Sequence, residues 1–169
     1  SSGHFLREQD IGMLSSLGLS NVKVFIKLKV GILSNGNELV EPGKNKFSYQ
    51  IYDSNRNILY SLLNKNSINV IDAGIVKDSY EKIKKKLLSL KNNCDLIIIS
   101  GGASSGSRDY VVKIIREEGK INFWKVSIKP GRPFGFGTRG NTSILILPGN
   151  PVACFVIFFI FGRKLLNLL

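Results

Sequence analysis

A three-layer α/β/α fold around a mostly parallel sheet is what this sequence predicts, and three observations predict it. Short apolar runs, Val30-Gly31-Ile32-Leu33, Ile68-Asn69-Val70-Ile71 and Asp95-Leu96-Ile97-Ile98-Ile99-Ser100, alternate with helical patterns, and parallel strands need such crossover helices. The 169 residues are 43% hydrophobic and 21% charged, enough to enclose one core and too apolar for a disordered chain. Loops rich in small residues follow the runs, at the sheet edge where doubly wound folds bind ligands.

The elements follow in order. Residues 1–5 read as a tag remnant or loose end, and they hold the only histidine, His4; residues 6–169 are expected to form a single domain. A helix is expected over 7–17, with Ile11, Leu14 and Leu17 on one face and Gly18 as its stop. Over 22–33 an alternating pattern runs into a continuous apolar one, which predicts a connecting strand and then a strand buried on both faces. After a loop over 34–46, Ser54 caps a helix to about Asn64, and a strand begins at Ile68. Asp78 or Ser79 caps the next helix, which ends near Leu90. A strand over 95–100 and a helix over 108–118, stopped by Gly119, complete the alternation. Shorter strands are expected over 123–129, 133–137 and 143–147, and Asn150-Pro151 opens a last, buried helix.

Composition narrows the function. Twenty-four basic against twelve acidic residues leave a formal net charge of +12, which favours anionic partners of any kind. Lys82-Ile83-Lys84-Lys85-Lys86 reads as a solvated helix face. No nucleic-acid recognition motif accompanies the charge. The apolar stretch over 152–161 is far short of the roughly 20 residues of a membrane span. Cys94 and Cys154 lack metal or redox spacing and fit a reducing compartment, the cytoplasm.

Three loops after predicted strands carry chemistry. In Ser100-Gly101-Gly102-Ala103-Ser104-Ser105-Gly106-Ser107-Arg108-Asp109, glycines admit an anion to the backbone and the following helix offers unpaired amides. Gly102 to Gly106 also match a serine-hydrolase elbow, which needs a histidine base that the expected domain lacks. The first loop is Ser34-Asn35-Gly36-Asn37-Glu38-Leu39. The third is Leu147-Pro148-Gly149-Asn150-Pro151, a helix cap followed by a first-turn proline. In Lys125-Val126-Ser127-Ile128-Lys129-Pro130-Gly131-Arg132-Pro133, period-two geometry puts Lys125 and Lys129 on one face, where they could clamp an anion. Glu38, Asp53 and Asp109 are the nearby carboxylates, and their hard oxygens suit magnesium.

From about Arg7 onward the sequence resembles the molybdopterin molybdenumtransferase family, of MoeA type with its gephyrin E-domain relative, in its central MoaB/Mog-like α/β domain. The resemblance rests on Asp10-Ile11-Gly12-Met13-Leu14, Glu38-Leu39, Gln50-Ile51-Tyr52-Asp53-Ser54-Asn55, Ser100-Gly101-Gly102 with Ser104, Gly106 and Asp109, Lys129-Pro130-Gly131-Arg132-Pro133, and Leu147-Pro148-Gly149-Asn150-Pro151. It implies a magnesium-dependent enzyme that takes adenylylated molybdopterin, releases AMP and inserts molybdate. Glu38 and Asp109 would hold metal or orient water, and Lys125 and Lys129 would bind molybdate or phosphate. Ser34, Gly36, Asp53, Ser54, Asn55, Ser100, Gly101, Gly102, Ser104, Arg132, Pro148, Gly149, Asn150 and Pro151 would line the pterin phosphate pocket. Two features depart from the family: Asn35 and Asn37 stand where it has Thr and Asp, and Arg132 replaces its Lys. The resemblance covers one domain of a multidomain, homo-oligomeric family, a dimer or trimer, so binding is expected more surely than turnover. The sister adenylyltransferase of the same fold and a non-catalytic binding or scaffold module are the alternatives.

Overall fold

The structure is a computed structural model that describes residues 4–64, 68–101 and 110–169. Its elements are α1 Glu8–Ser16, β1 Lys29–Asn35, β2 Leu39–Val40, β3 Ile51–Tyr52, α2 Asn55–Asn64, β4 Asn69–Val76, α3 Tyr80–Lys91, β5 Leu96–Gly101, α4 Tyr110–Glu118, β6 Lys120–Trp124, β7 Gly135–Arg139 and β8 Thr142–Leu147. The last helix runs as α5 Pro151–Ile157, a π-helical turn Phe158–Gly162, and α6 Arg163–Leu166.

One six-stranded sheet is ordered β4-β1-β5-β8-β7-β6. The four strands β4, β1, β5 and β8 are parallel, and β7 and β6 follow by antiparallel pairing. From β1 the chain moves to β4 on one side and then crosses to β5 on the other. Direction therefore reverses between β1 and β5, and their carboxyl ends flank a crevice of the kind that binds ligands. Alternation along β5 and β8 feeds both faces. Ile97, Ile99, Ile144 and Ile146 pack under α3 and α4, and Leu96, Ile98, Leu145 and Leu147 pack under α2 and α5. This three-layer arrangement is the one the alternating pattern predicts.

Three expectations need correction. The connecting strand before β1 does not form: residues 20–27 belong to no strand among the described residues, and Val24, Phe25 and Ile26 are 68%, 79% and 90% exposed. Alternation specifies a face, but a strand also needs a hydrogen-bonding neighbour, and the ordered sheet offers none there. The strand expected over 123–129 ends at Trp124: Lys125 takes a left-handed φ of 65°, so the extended conformation stops there although its N–H still donates to the Phe134 carbonyl at 2.9 Å. The last helix is buried on one side only. Ala153, Cys154, Ile157 and Phe158 face the core, and Val152, Phe155, Phe159 and Ile160 are exposed.

Candidate functional site

The first and third loops and the start of the second leave three adjacent parallel strands, β1, β5 and β8, so topology alone brings them to one edge. Their packing is closer than side chains would allow. Gly101 has φ +81°, and a Cβ on it would overlap the Asn35 carbonyl oxygen; only glycine fits there. A Cβ on Gly149 would lie 3.7 Å from the Gly101 Cα. Asn55, at the start of α2, spends its amide nitrogen on both neighbours, donating to Ser100 Oγ at 2.7 Å and to the Gly149 carbonyl at 2.8 Å. Its Oδ1 is buried and meets no partner among the described residues, as does the Oγ of Ser34. Two orphaned oxygens at this edge are what a polar ligand group or ordered water would satisfy.

In the third loop Asn150 caps α5, its Oδ1 accepting from Ala153 N–H at 3.1 Å, with Pro151 in the first turn. Opposite lies the basic loop of residues 126–133, and the two enclose a cleft of about 730 Å³ lined by Lys129, Arg132, Pro148, Gly149 and Asn150. That volume suits a small-molecule ligand. Lys129 and Arg132 are exposed and meet no acceptor among the described residues. Lys125 is not among the lining residues. Its ammonium lies 6.0 Å from the Trp124 ring centroid, and the same-face pairing with Lys129 does not hold once the strand ends at Trp124.

The first loop is braced rather than open. Gly36 N–H donates to the Val76 carbonyl at 3.1 Å, and buried Asn35 donates to the same oxygen at 2.9 Å. Asn37 and Asp78 bond reciprocally: Asn37 N–H donates to Asp78 Oδ2 at 3.2 Å and Asp78 N–H donates to Asn37 Oδ1 at 3.1 Å. Lys77 Nζ donates to the carbonyls of Asn37 and Leu39, at 2.9 and 3.0 Å, which bracket Glu38. Both asparagines that depart from the family pattern thus hold the loop in place. Ser79, not Asp78, is the N-cap of α3. Glu38 is exposed, and its carboxylate folds over Gly36, where a Cβ would lie 2.7 Å from both oxygens. Asp53 is buried and caps α2, a role expected of Ser54: its Oδ1 accepts from Arg56 N–H at 3.3 Å. Ser54 is exposed.

Gly102, Ser104 and Asp109 lie outside the described residues. Among those described, no group of three or more His, Cys, Asp or Glu could hold a metal ion. Magnesium does not require one, since one or two carboxylates with substrate phosphates suffice; Glu38, a hard oxygen donor at this edge, fits that sparse type. Sequence reasoning missed Arg56, Lys77 and the bracing role of Asp78. Cys154, expected as a thiol outside any metal or redox site, is free and buried; it lies on the Ser100 hydroxyl and is pushed by burial up to about 12, the Ser100 hydrogen bond acting the other way.

Fold and site together define a doubly wound α/β domain with glycine-packed turns at its switch point and a basic cleft beside the end of β8. Comparison with known proteins makes this specific. Residues 31–167 match the family described as "Probable molybdopterin binding domain", and the chain belongs to that family. It is similar to a molybdopterin molybdenumtransferase of Haemophilus influenzae, 43% identical over 93% of this chain and 39% of that protein. Among solved structures it is similar to a molybdopterin biosynthesis moeA protein of Pyrococcus horikoshii, with TM-score 0.87 and 33% identity over 99% of this chain and 41% of that one. A MoaB protein of Thermus thermophilus, 23% identical with TM-score 0.55 over 83% of this chain and 96% of that one, shares the fold. The chain therefore spans about two fifths of the length of these MoeA-type relatives. None of the helices among the described residues is long and apolar enough to cross a membrane.

Proposed function

We propose that this domain binds molybdopterin, or its adenylylated form, by its phosphate at the shared edge of β1, β5 and β8. In the activity this reading implies, water would cleave the pyrophosphate link, AMP would leave, and molybdate would enter at the dithiolene. One observation carries the reading: two cations without partners among the described residues, Lys129 and Arg132, face Pro148, Gly149 and Asn150 across a cleft of ligand size. Cations placed before the reaction stabilise negative charge as it develops on the departing phosphate. Lys125, at the head of the same loop, adds to the field. Ser34, Gly36, Ser54, Asn55, Ser100 and Gly101 would complete the site at the neighbouring strand ends, with Gly102 and Ser104, which lie outside the described residues, assigned to it by the resemblance, and Pro151 stands in the first turn of α5.

Glu38 and Asp109 would hold magnesium with the phosphates, and Asp53 keeps the turn before α2 in place. Magnesium bound there would withdraw charge from the phosphates. The domain would work as part of a dimer or trimer, in the reducing cytoplasm. The direct test is AMP release from adenylylated molybdopterin, with and without magnesium; the reading predicts magnesium-dependent release, and the absence of both binding and release would refute it. A second reading, a binding module without catalysis, is favoured by the engagement of Asn35 and Asn37 in bracing, which leaves Glu38 the one carboxylate of the first loop. Binding without AMP release would select it.

A further inference from the structure

The ribbon β2–β3 carries Glu38 at its entrance and Asp53 at its exit, yet it has little hydrophobic anchorage. Leu39 and Val40 are half-buried, and Ile51 and Tyr52 are exposed. Its ladder is short: Ile51 N–H donates to the Glu38 carbonyl and Asp53 N–H to the Val40 carbonyl, both at 2.9 Å. A two-stranded unit of this size is marginal alone, so polar contacts must hold it to the body. At the Glu38 end these are the Lys77 and Asp78 contacts. At the other end stands a single buried side chain, Arg56.

Arg56 is 7% exposed. Its Nε donates to Asp53 Oδ2 at 3.1 Å, its Nη1 to both Asp72 oxygens at 2.7 and 2.5 Å, and its Nη2 to Glu41 Oε2. Glu41 directly follows β2, Asp53 directly follows β3, and Asp72 lies on the edge strand β4. One planar fork of donors therefore ties both strands of the ribbon to the main sheet, which a lysine's single ammonium cannot do. Hydrogen bonds to Asp72 and Asp53 hold the guanidinium charged against the cost of burial.

We infer that Arg56 is a positioning residue for the candidate site. Through the ribbon it fixes Glu38 and the turn at residues 53–55 against the ends of β1 and β5, without itself touching ligand. The inference rests on the proposed ligand edge. Glu41→Gln removes charge from a partly exposed partner and leaves the Asp53 and Asp72 pairs, so the fold survives. Arg56→Lys keeps the charge and loses the fork.

Hydrogen exchange read by mass spectrometry and calorimetric titration of AMP with magnesium test it in both variants. Glu41→Gln is expected to raise exchange over residues 38–53 several-fold, up to about tenfold, leaving β5 and β8 unchanged, since an ion-paired hydrogen bond becomes one to a neutral acceptor. It should also weaken AMP at least about threefold with an unaltered melting temperature, and Arg56→Lys, although it keeps the charge, should likewise raise exchange of the ribbon. Wild-type exchange of the ribbon in both variants would overturn the inference, as would equal loosening of β5 and β8. If the wild-type protein binds no AMP, the proposed function falls, and the ribbon exchange still decides the role of Arg56.

Discussion

The two sides of the candidate site, the strand ends and the basic loop, are held by different physics. On one side, Asn35, Gly101 and Gly149 meet at backbone distances that admit no side chain at Gly101, and Asn55 ties the strand ends together. On the other, residues 125–133 run outside the sheet with Lys129 and Arg132 exposed. That loop is anchored where Lys125 and Val126 N–H donate to the carbonyls of Phe134 and Arg132, and where Gly131 packs on Ile157. The first side is closely packed: its two orphaned oxygens are buried, and Pro148, Gly149 and Asn150 are its residues on the cleft. The second brings charge. Shape and sign of the pocket are thus set by separate segments, so mutations should separate stability from affinity.

The largest effect is expected at the closely packed side. Gly101→Ala forces a Cβ into the Asn35 carbonyl at a positive φ, which should cost about 3 kcal/mol and lower the melting temperature by roughly 6–12 °C. Gly149→Ala, with ordinary contact distances, should change it little; equal losses at both positions would show that close packing is not what holds this side. At the charged side the order reverses. Arg132→Ala should weaken AMP about tenfold without shifting the melting temperature, as expected for loss of a charge-assisted contact. Lys125→Ala, away from the cleft lining, should cost less than about threefold by titration calorimetry.

Acid should loosen the ribbon before the sheet. Burial raises the Asp72 carboxyl, but the Arg56 hydrogen bonds outweigh it and leave the group below its ordinary value. A lowered folded-state value gives stability that is complete above the unfolded-state value and is lost as pH falls through the folded one. Ribbon exchange, corrected for its intrinsic pH dependence, should stay flat from neutrality to about pH 5 and rise below about pH 4. The smallest effect concerns the thiols. Burial raises both Cys94 and Cys154, the latter to about 12, so neither should react with a thiol reagent at about pH 8 until the protein is unfolded.

Legibility in the sequence follows the same division. Strands β1, β5 and β8 were readable because a strand buried on both faces writes a continuous apolar run, and the loops leaving them were readable because crossover topology places them at one edge. Residues 22–28 misled because alternation says nothing about whether a partner exists. Lys125 misled because a single positive φ ends a strand without any glycine to announce it. Arg56 was invisible for a third reason: Glu41, Asp53 and Asp72 come from three separate elements, and nothing in their spacing shows that one guanidinium gathers them. Asn37, seen only as a lost carboxylate, turned out to be exchanging hydrogen bonds with Asp78.

If the ends of β1, β5 and β8 and the basic loop act as one anion-binding site, the cleft beside β8 must take AMP. Titration calorimetry of AMP with magnesium, comparing the wild-type chain with Asp109→Ala and Lys129→Ala, tests it most directly. Binding at one site that weakens in both variants is expected; unchanged affinity in both would show that these residues hold no ligand.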